Sequence, residues 1–339
     1  MKIAFTSENP FNGPVPQDYN DARTEFAWMI ALNAEHYVIP HFKSIKDYDA
    51  VFVILPKCKT YLSAEGSQMV DNPEPDPRAT LCNPNFINYL KRYNKKVYII
   101  QEGPNWLFND YNMEQQFNYY GCLNACDGIF VHNEIDKKFY KGITYGNKQV
   151  ETIPTLMIEK TLEGLKSKKK DKTLIGGNFS RWYGGFQSFM VSNIFSNPVW
   201  TQTSHSKRPN EDGIKDENGK KLLNHFPRLV WQDWMTNVST FKYAVHLMPT
   251  VAAGTFSLNC AYFGVPCIGN EKVDTQRICF PELSVDVDDV QKALEIAKKL
   301  KTDKDFYKSV SEYSIKAYKE NYTIKVWKKY MKGVLNEKD

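Results

Sequence analysis

The sequence predicts two doubly wound α/β domains in tandem, and three observations predict it. The chain has 339 residues, more than one ordinary hydrophobic core organises. In each half, short apolar runs alternate with stretches of helical period, the pattern of a parallel sheet covered by helices on both faces. The alternation breaks once, at the lysine-rich and strand-free stretch Glu159–Lys172, which reads as a linker. The expected domains are therefore residues 1–158 and residues 173–321. The final helix, residues 322–339, is expected to pack back on the first.

Each element has a local reason. Lys2–Thr6 is a strand, and Ala22–Ala34 spaces Phe26, Ile30 and Ala34 four apart, as one face of a helix should. His36–Phe42 reads as a second strand and Ala50–Leu55 as a third, apolar throughout and hence buried on both faces. The polar stretch Pro56–Pro84 contains Pro73, Pro75 and Pro77 and reads as a long loop. Phe86–Tyr93 is a helix, Val97–Ile100 a strand, and Gly128–His132 a strand followed by a helix from Asn133. Val150–Pro154 closes this half. The pattern restarts at Thr173–Ile175, with further strands expected at Val199–Gln202, Leu229–Trp231, Ala244–Met248 and Pro266–Gly269. Helix Asp288–Lys301 carries acids at its amino end and lysines at its carboxyl end, which suits the macrodipole. The last helix, Lys304–Leu335, breaks near Asn321-Tyr322.

Composition narrows the function classes. Hydrophobic residues make up 42% and charged residues 24%, the balance of a folded globular protein. No apolar run approaches the ~20 residues that span a bilayer. The opening Met1–Thr6 reads as a first strand rather than a signal peptide, so a cytoplasmic monomer is expected. Seven scattered cysteines show no zinc spacing and read as buried thiols. The net charge of +5 divides into −3 over residues 1–155 and +8 over the rest. A basic second half suits a phosphate-bearing ligand or a polyanion, although solvated lysines such as Lys166 and Lys168–Lys170 account for much of it.

In open α/β sheets ligands bind at the carboxyl ends of strands, which directs attention to four segments. In Gly176-Gly177-Asn178-Phe179-Ser180-Arg181, paired glycines let backbone N–H groups approach a phosphate, and Arg181 can clamp it bidentately. A plain glycine turn would read similarly. In Gly254-Thr255-Phe256-Ser257-Leu258-Asn259, a helix start again offers backbone and hydroxyl donors, and Gly264-Val265-Pro266 then stops the helix before the next strand. Glu102 follows the strand Val97–Ile100 in Gln101-Glu102-Gly103-Pro104-Asn105-Trp106, where a general base would stand, although a lone Glu there is more often a cap. Asp286-Val287-Asp288-Asp289 resembles a metal-binding acid pair but precedes a helix and reads as an N-cap, so no metal site is identified. Ser7, Asn105, Trp106 and His132 are the other candidates for lining the acceptor side, and Trp231 for contacting the donor base.

With these motifs and their spacing the chain resembles the GT-B glycosyltransferases, over nearly its whole length. The resemblance rests on the loop after Gly176-Gly177 and on Gly254-Thr255-Phe256-Ser257 with Gly264-Val265-Pro266. It implies two Rossmann-like domains with an interdomain cleft, and a nucleotide-sugar donor, UDP-linked for preference. Gly176, Gly177, Asn178, Ser180, Arg181, Trp231, Gly254, Thr255, Phe256, Ser257 and Asn259 would hold that donor. Within the class the chain is similar to the phage DNA β-glucosyltransferases, through Tyr48-Asp49, Lys95–Glu102 and Gly176-Gly177-x-Phe179. That likeness makes Glu102 the catalytic base and 5-hydroxymethylcytosine in double-stranded DNA the acceptor, inside a host cytoplasm. Two departures matter. The Glu pair of retaining members falls on Val251 and Asn259, which points to inversion, and Asn259 replaces the carboxylate that would grip the donor ribose. No cofactor beyond the donor is required.

Other readings stay open. A glycan, lipid or protein acceptor would suit the net-negative first half better than DNA does. A non-catalytic nucleotide- or nucleic-acid-binding protein on the same frame, or a sugar-nucleotide epimerase, shares the double-Rossmann design.

Overall fold

The computed structural model describes residues 1–55, 61–62, 69–70, 83–101, 103–110, 112–177, 179, 182–202, 215, 217–219, 221–227 and 229–335. It has the two-sheet α/β fold expected from the alternation. The chain divides into two compact units: Met1–Tyr19, Glu25–Pro154 and Trp327–Asp339 form the first, and Asn20–Thr24 with Thr155–Val326 the second.

The first unit holds strands β1 (Ile3–Ser7), β2 (Gly13–Pro14), β3 (Glu35–Val38) and β4 (Ala50–Ile54). A small antiparallel ribbon, β5 (Tyr61–Leu62) with β6 (Met69–Val70), stands apart from them. Strands β7 (Val97–Ile100), β8 (Gly128–Val131) and β9 (Gln149–Thr152) complete a seven-stranded sheet in the order β2-β3-β1-β4-β7-β8-β9. Every pairing in it is parallel except that of β2 with β3. All residues of β1 and β4 are buried, as apolar strands covered on both faces must be. Phe5 and Phe52, paired across them, stack at 4.9 Å. The strand expected over His36–Phe42 stops at Val38 and turns into a 3₁₀ helix, Ile39–Ser44, because Pro40 has no N–H to give a ladder.

Helices α1 (Thr24–Leu32), α2 (Pro84–Tyr93), α3 (Met113–Ala125) and α4 (Glu134–Ile143) connect these strands. Asn83, Asn112 and Asn133 cap the last three, each accepting from a first-turn N–H.

In the second unit, β10 (Lys170–Ile175), β11 (Val199–Gln202), β12 (Leu223–Phe226), β13 (Phe241–His246), β14 (Cys267–Asn270) and β15 (Ser284–Val285) form a wholly parallel sheet. Its order, β12-β11-β10-β13-β14-β15, is the 3-2-1-4-5-6 arrangement of the dinucleotide-binding fold. Two sequence expectations fail here. β10 begins at Lys170, inside the stretch read as strand-free: Lys170 N–H donates to the Thr240 carbonyl at 2.7 Å, and Lys172 lays its ammonium 4.1 Å from the Phe241 ring. The strand expected at Leu229–Trp231 is instead the start of a helix, α6 (Trp231–Val238), after α5 (Gly185–Ser192). Trp231, Trp234, Met235 and Val238 are its buried residues, spaced i, i+3, i+4, i+7, so the helical period prevails. The edge strand is Leu223–Phe226.

Helices α7 (Thr255–Tyr262), α8 (Asp274–Cys279), α9 (Val290–Thr302) and α10 (Lys304–Asn321) complete this unit. Asp289 caps α9 by accepting from Lys292 N–H, as the N-cap reading of that acid pair requires. Among the described residues no helix is long and apolar enough to cross a membrane.

The last helix, α11 (Ile324–Val334), returns the chain to the first unit, where Trp327 and Met331 are buried. The Pro154 carbonyl accepts two indole N–H bonds there, from Trp28 and from Trp327, each at 2.9 Å. Trp327→Phe should cost about 1 kcal/mol, the net worth of one hydrogen bond. Trp327→Ala should cost about 3–5 kcal/mol by opening a cavity. Denaturant unfolding followed by tryptophan fluorescence checks both, and a smaller loss from Ala than from Phe would contradict this packing.

Candidate functional site

The sheet of the second unit reverses its strand order between β10 and β13, the position where ligands bind in such folds. A cavity of about 410 Å³ lies at this place. Its wall includes Gly177 after β10, His246 at the end of β13, Gly254–Ser257 at the start of α7, Trp234 and Asn259.

Glycines shape this wall for steric reasons that can be named. Gly176 donates its N–H to the Val245 carbonyl at 3.0 Å, and a Cβ on it would meet the His246 ring at 2.5 Å. Gly177 has φ +73, and a Cβ there would meet the Tyr183 ring at 2.4 Å. Helices α5 and α7 both start behind a left-handed glycine, Gly184 and Gly254, and neither has a side-chain cap. The first-turn N–H groups of a helix have no partner within the helix, so the uncapped amino end of α7, which borders the cavity, favours an anion.

The side chains behave differently from the sequence reading at three places. Ser257 was expected to offer its hydroxyl to a phosphate. That hydroxyl instead donates to Gln276 Oε1 at 2.7 Å, while Gln276 Nε2 donates to the Cys267 carbonyl, so the pair ties α7 to β14. Asn259 has its amide satisfied within the protein, accepting from Trp234 Nε1 at 2.9 Å and donating to the Thr255 carbonyl at 3.0 Å. Trp231 does not reach the cavity: it is buried, with its Nε1–H shared between Thr161 Oγ1 at 3.0 Å and the Ile158 carbonyl. Its neighbour one turn on, Trp234, lines the cavity in its place. Thr255 and Phe256 both stand on the wall, and the Phe256 ring meets His246 edge to face at 4.7 Å.

The cavity also holds His246, which the sequence reading passed over. Burial pushes its pKa down to about 4, so the imidazole is neutral at physiological pH. The available signal was a polar residue ending an apolar strand, the same signal that drew attention to Glu102.

In the first unit the candidates share a sheet edge without forming a cluster. Ser7 ends β1 and its hydroxyl is 2.8 Å from His36 Nε2. His132 follows β8 and stacks on Trp28 at 5.4 Å. Asn105 and Trp106, both half-buried, open a 3₁₀ helix, Asn105–Asp110. Gln101, after β7, is buried and donates to the Gly103 carbonyl. Glu102, Asn178, Ser180 and Arg181 lie outside the described residues. Among the described residues no group of three His, Cys, Asp or Glu side chains is placed to hold a metal ion.

No protein-family model and no curated protein matches the sequence. Solved structures do match in fold. A trehalose-6-phosphate synthase, OtsA, superposes with TM-score 0.65 at 8% identity, covering 100% of both chains. A sucrose-phosphate synthase from Thermosynechococcus elongatus gives TM-score 0.62 at 10% identity over 99% of this chain and 98% of the other. A variant of TarM from S. aureus, in complex with fondaparinux, alpha-GlcNAc-glycerol and UDP, gives TM-score 0.60 at 10% identity, over 88% of this chain and 58% of that one. At these identities the likeness is one of fold, of the GT-B class.

The neutral His246 has a consequence for stability. The unfolded chain takes up its proton near the ordinary value of 6.5 and the folded chain only near 4, so stability falls as pH drops through that window. Part of the ring faces the cavity, which makes about 3 kcal/mol the ceiling of the effect. His246→Phe should flatten this part of the curve relative to the parent, measured by denaturation at pH 7, 5.5 and 4.5. Parallel curves would show that the ring is protonated freely in the fold.

Proposed function

We propose that the protein is a glycosyltransferase that takes a sugar from a nucleotide-sugar donor bound in the second unit. One observation carries this reading: helix α7 starts uncapped, behind the left-handed Gly254, on the wall of a cavity at the switch point of a parallel sheet. Such amides stabilise the charge that develops on a departing diphosphate. Fold likeness to enzymes named as sugar-phosphate synthases, and to a protein solved with UDP, supports the same reading and favours a UDP-linked donor.

Arg181 joins the diphosphate site on the strength of its place in the glycine loop, and Glu102 acts as the base that takes the acceptor's proton. The absent Glu pair favours inversion. The acceptor reading is 5-hydroxymethylcytosine in DNA, supported by the sequence resemblance and the basic second half. The second reading is a glycan acceptor, favoured by the net-negative first half, or a phosphosugar, favoured by the proteins of like fold.

Thermal unfolding against a panel of nucleotides tests the donor site first. A nucleoside diphosphate at 100 times its Kd should add about 2.7 kcal/mol to the folded state, and Arg181→Ala should lose this gain. If no nucleotide raises the transition, the reading fails.

Glu102→Gln should keep nucleotide binding while transfer falls about 10²–10⁴-fold. Full transfer by that variant would remove Glu102 from the chemistry. DNA as acceptor predicts binding that weakens steeply with salt, whereas a neutral glycan predicts a slope near zero in the same titration.

A further inference from the structure

The cavity contains a polar group that no described residue uses. His246 lines the wall, and its Nε2 is buried with no hydrogen-bond partner among the described residues. A buried donor or acceptor left alone costs about 1–3 kcal/mol, and natural folds keep such groups rarely. The surroundings hold the ring in place. Gly176 has no side chain where a Cβ would sit 2.5 Å from the imidazole, and Phe256 packs against it at 4.7 Å. Three of the polar side chains nearby are already paired, Ser257 with Gln276, Asn259 with Trp234, and Asn270 with the Met248 carbonyl, while Gln202, Thr250 and Thr255 also stand on the wall.

Among the described residues the wall carries no carboxylate, lysine or arginine, and Tyr183 is its only other titratable side chain. No neighbouring charge there compels the ring to be cationic or to serve as a counter-ion. What remains for an uncharged imidazole is a directional hydrogen bond to something that enters the cavity.

We propose that His246 contacts the ligand of this cavity directly, its imidazole donating a hydrogen bond to an oxygen of a bound nucleoside diphosphate. The assignment rests on the donor-site reading above and adds an uncharged side chain to the backbone amides and Arg181 of that site. The amides and Arg181 hold the charge, and the imidazole selects the orientation.

UDP is the probe, with Kd measured by calorimetry for the parent, His246→Phe and His246→Gln. Phe keeps the ring's shape and removes the nitrogen, so UDP should bind about tenfold more weakly while the ligand-free protein unfolds no earlier than the parent. Gln, which restores an N–H, should recover much of the loss. Equal weakening by Phe and Gln, or a Kd for Phe within twofold of the parent, overturns the assignment and leaves the donor site standing. Failure of the parent itself to bind UDP or any other nucleoside diphosphate overturns the donor-site reading and this assignment with it. Should Phe not fold, His246→Ala supplies the test: millimolar imidazole should restore UDP binding, and an unresponsive variant refutes the contact.

Discussion

The second unit turns on the close approach of β10 and β13 at Gly176. Their parallel register sets Ile175 beside Val245, so the next residue on one strand must share space with His246 on the other. Only a residue without a side chain leaves room for the ring. The chain leaves one strand towards β11 and the other towards β14, and the gap between those departures is the cavity. Gly177, Gly184 and Gly254 then carry the chain through left-handed turns that L side chains rarely adopt. Sheet order fixes where a ligand fits, and the glycines let the backbone come close to it.

Several polar side chains of the cavity wall serve the frame and not a ligand. Hydroxyl and amide groups that a motif search would assign to a ligand are occupied in holding the frame: Ser257 and Gln276 join α7 to β14, and Asn259 links Trp234 to the first turn of α7. A frame held this way keeps the amino end of α7 still, and a fixed dipole is more useful to a charged ligand than a mobile one. Tolerance to substitution should follow the same division, low at the glycines and at Gln276, higher at Thr255.

Much of the fold was legible because a parallel sheet needs apolar strands, and Ala50–Ile54 or Val97–Ile100 show that without ambiguity. The edge strand Leu223–Phe226 was not legible, since an edge needs only alternate burial and its middle residues are Asn and His. Leu229–Trp231 misled because three apolar residues fit either period; Trp234, Met235 and Val238, further along, decide for a helix. In the site the glycines stood out, whereas His246 looks like a structural residue in a linear reading. Trp231 and Trp234 share one helical turn, and only tertiary packing decides that Trp231 serves the linker and Trp234 the cavity.

The twofold use of the Pro154 carbonyl bears on how the chain is made. Trp28 is synthesised early, but Trp327 follows Pro154 by 173 residues. At ribosomal speeds of about 5–20 residues per second, that separation amounts to roughly ten to thirty seconds. During this interval the first sheet exists without its last helix, and the surface meant for Trp327 and Met331 stays bare while the whole second unit is translated. The N-terminal half is thus the first begun and the last completed, and the nascent chain exposes a sticky face for longest where a chaperone would meet it.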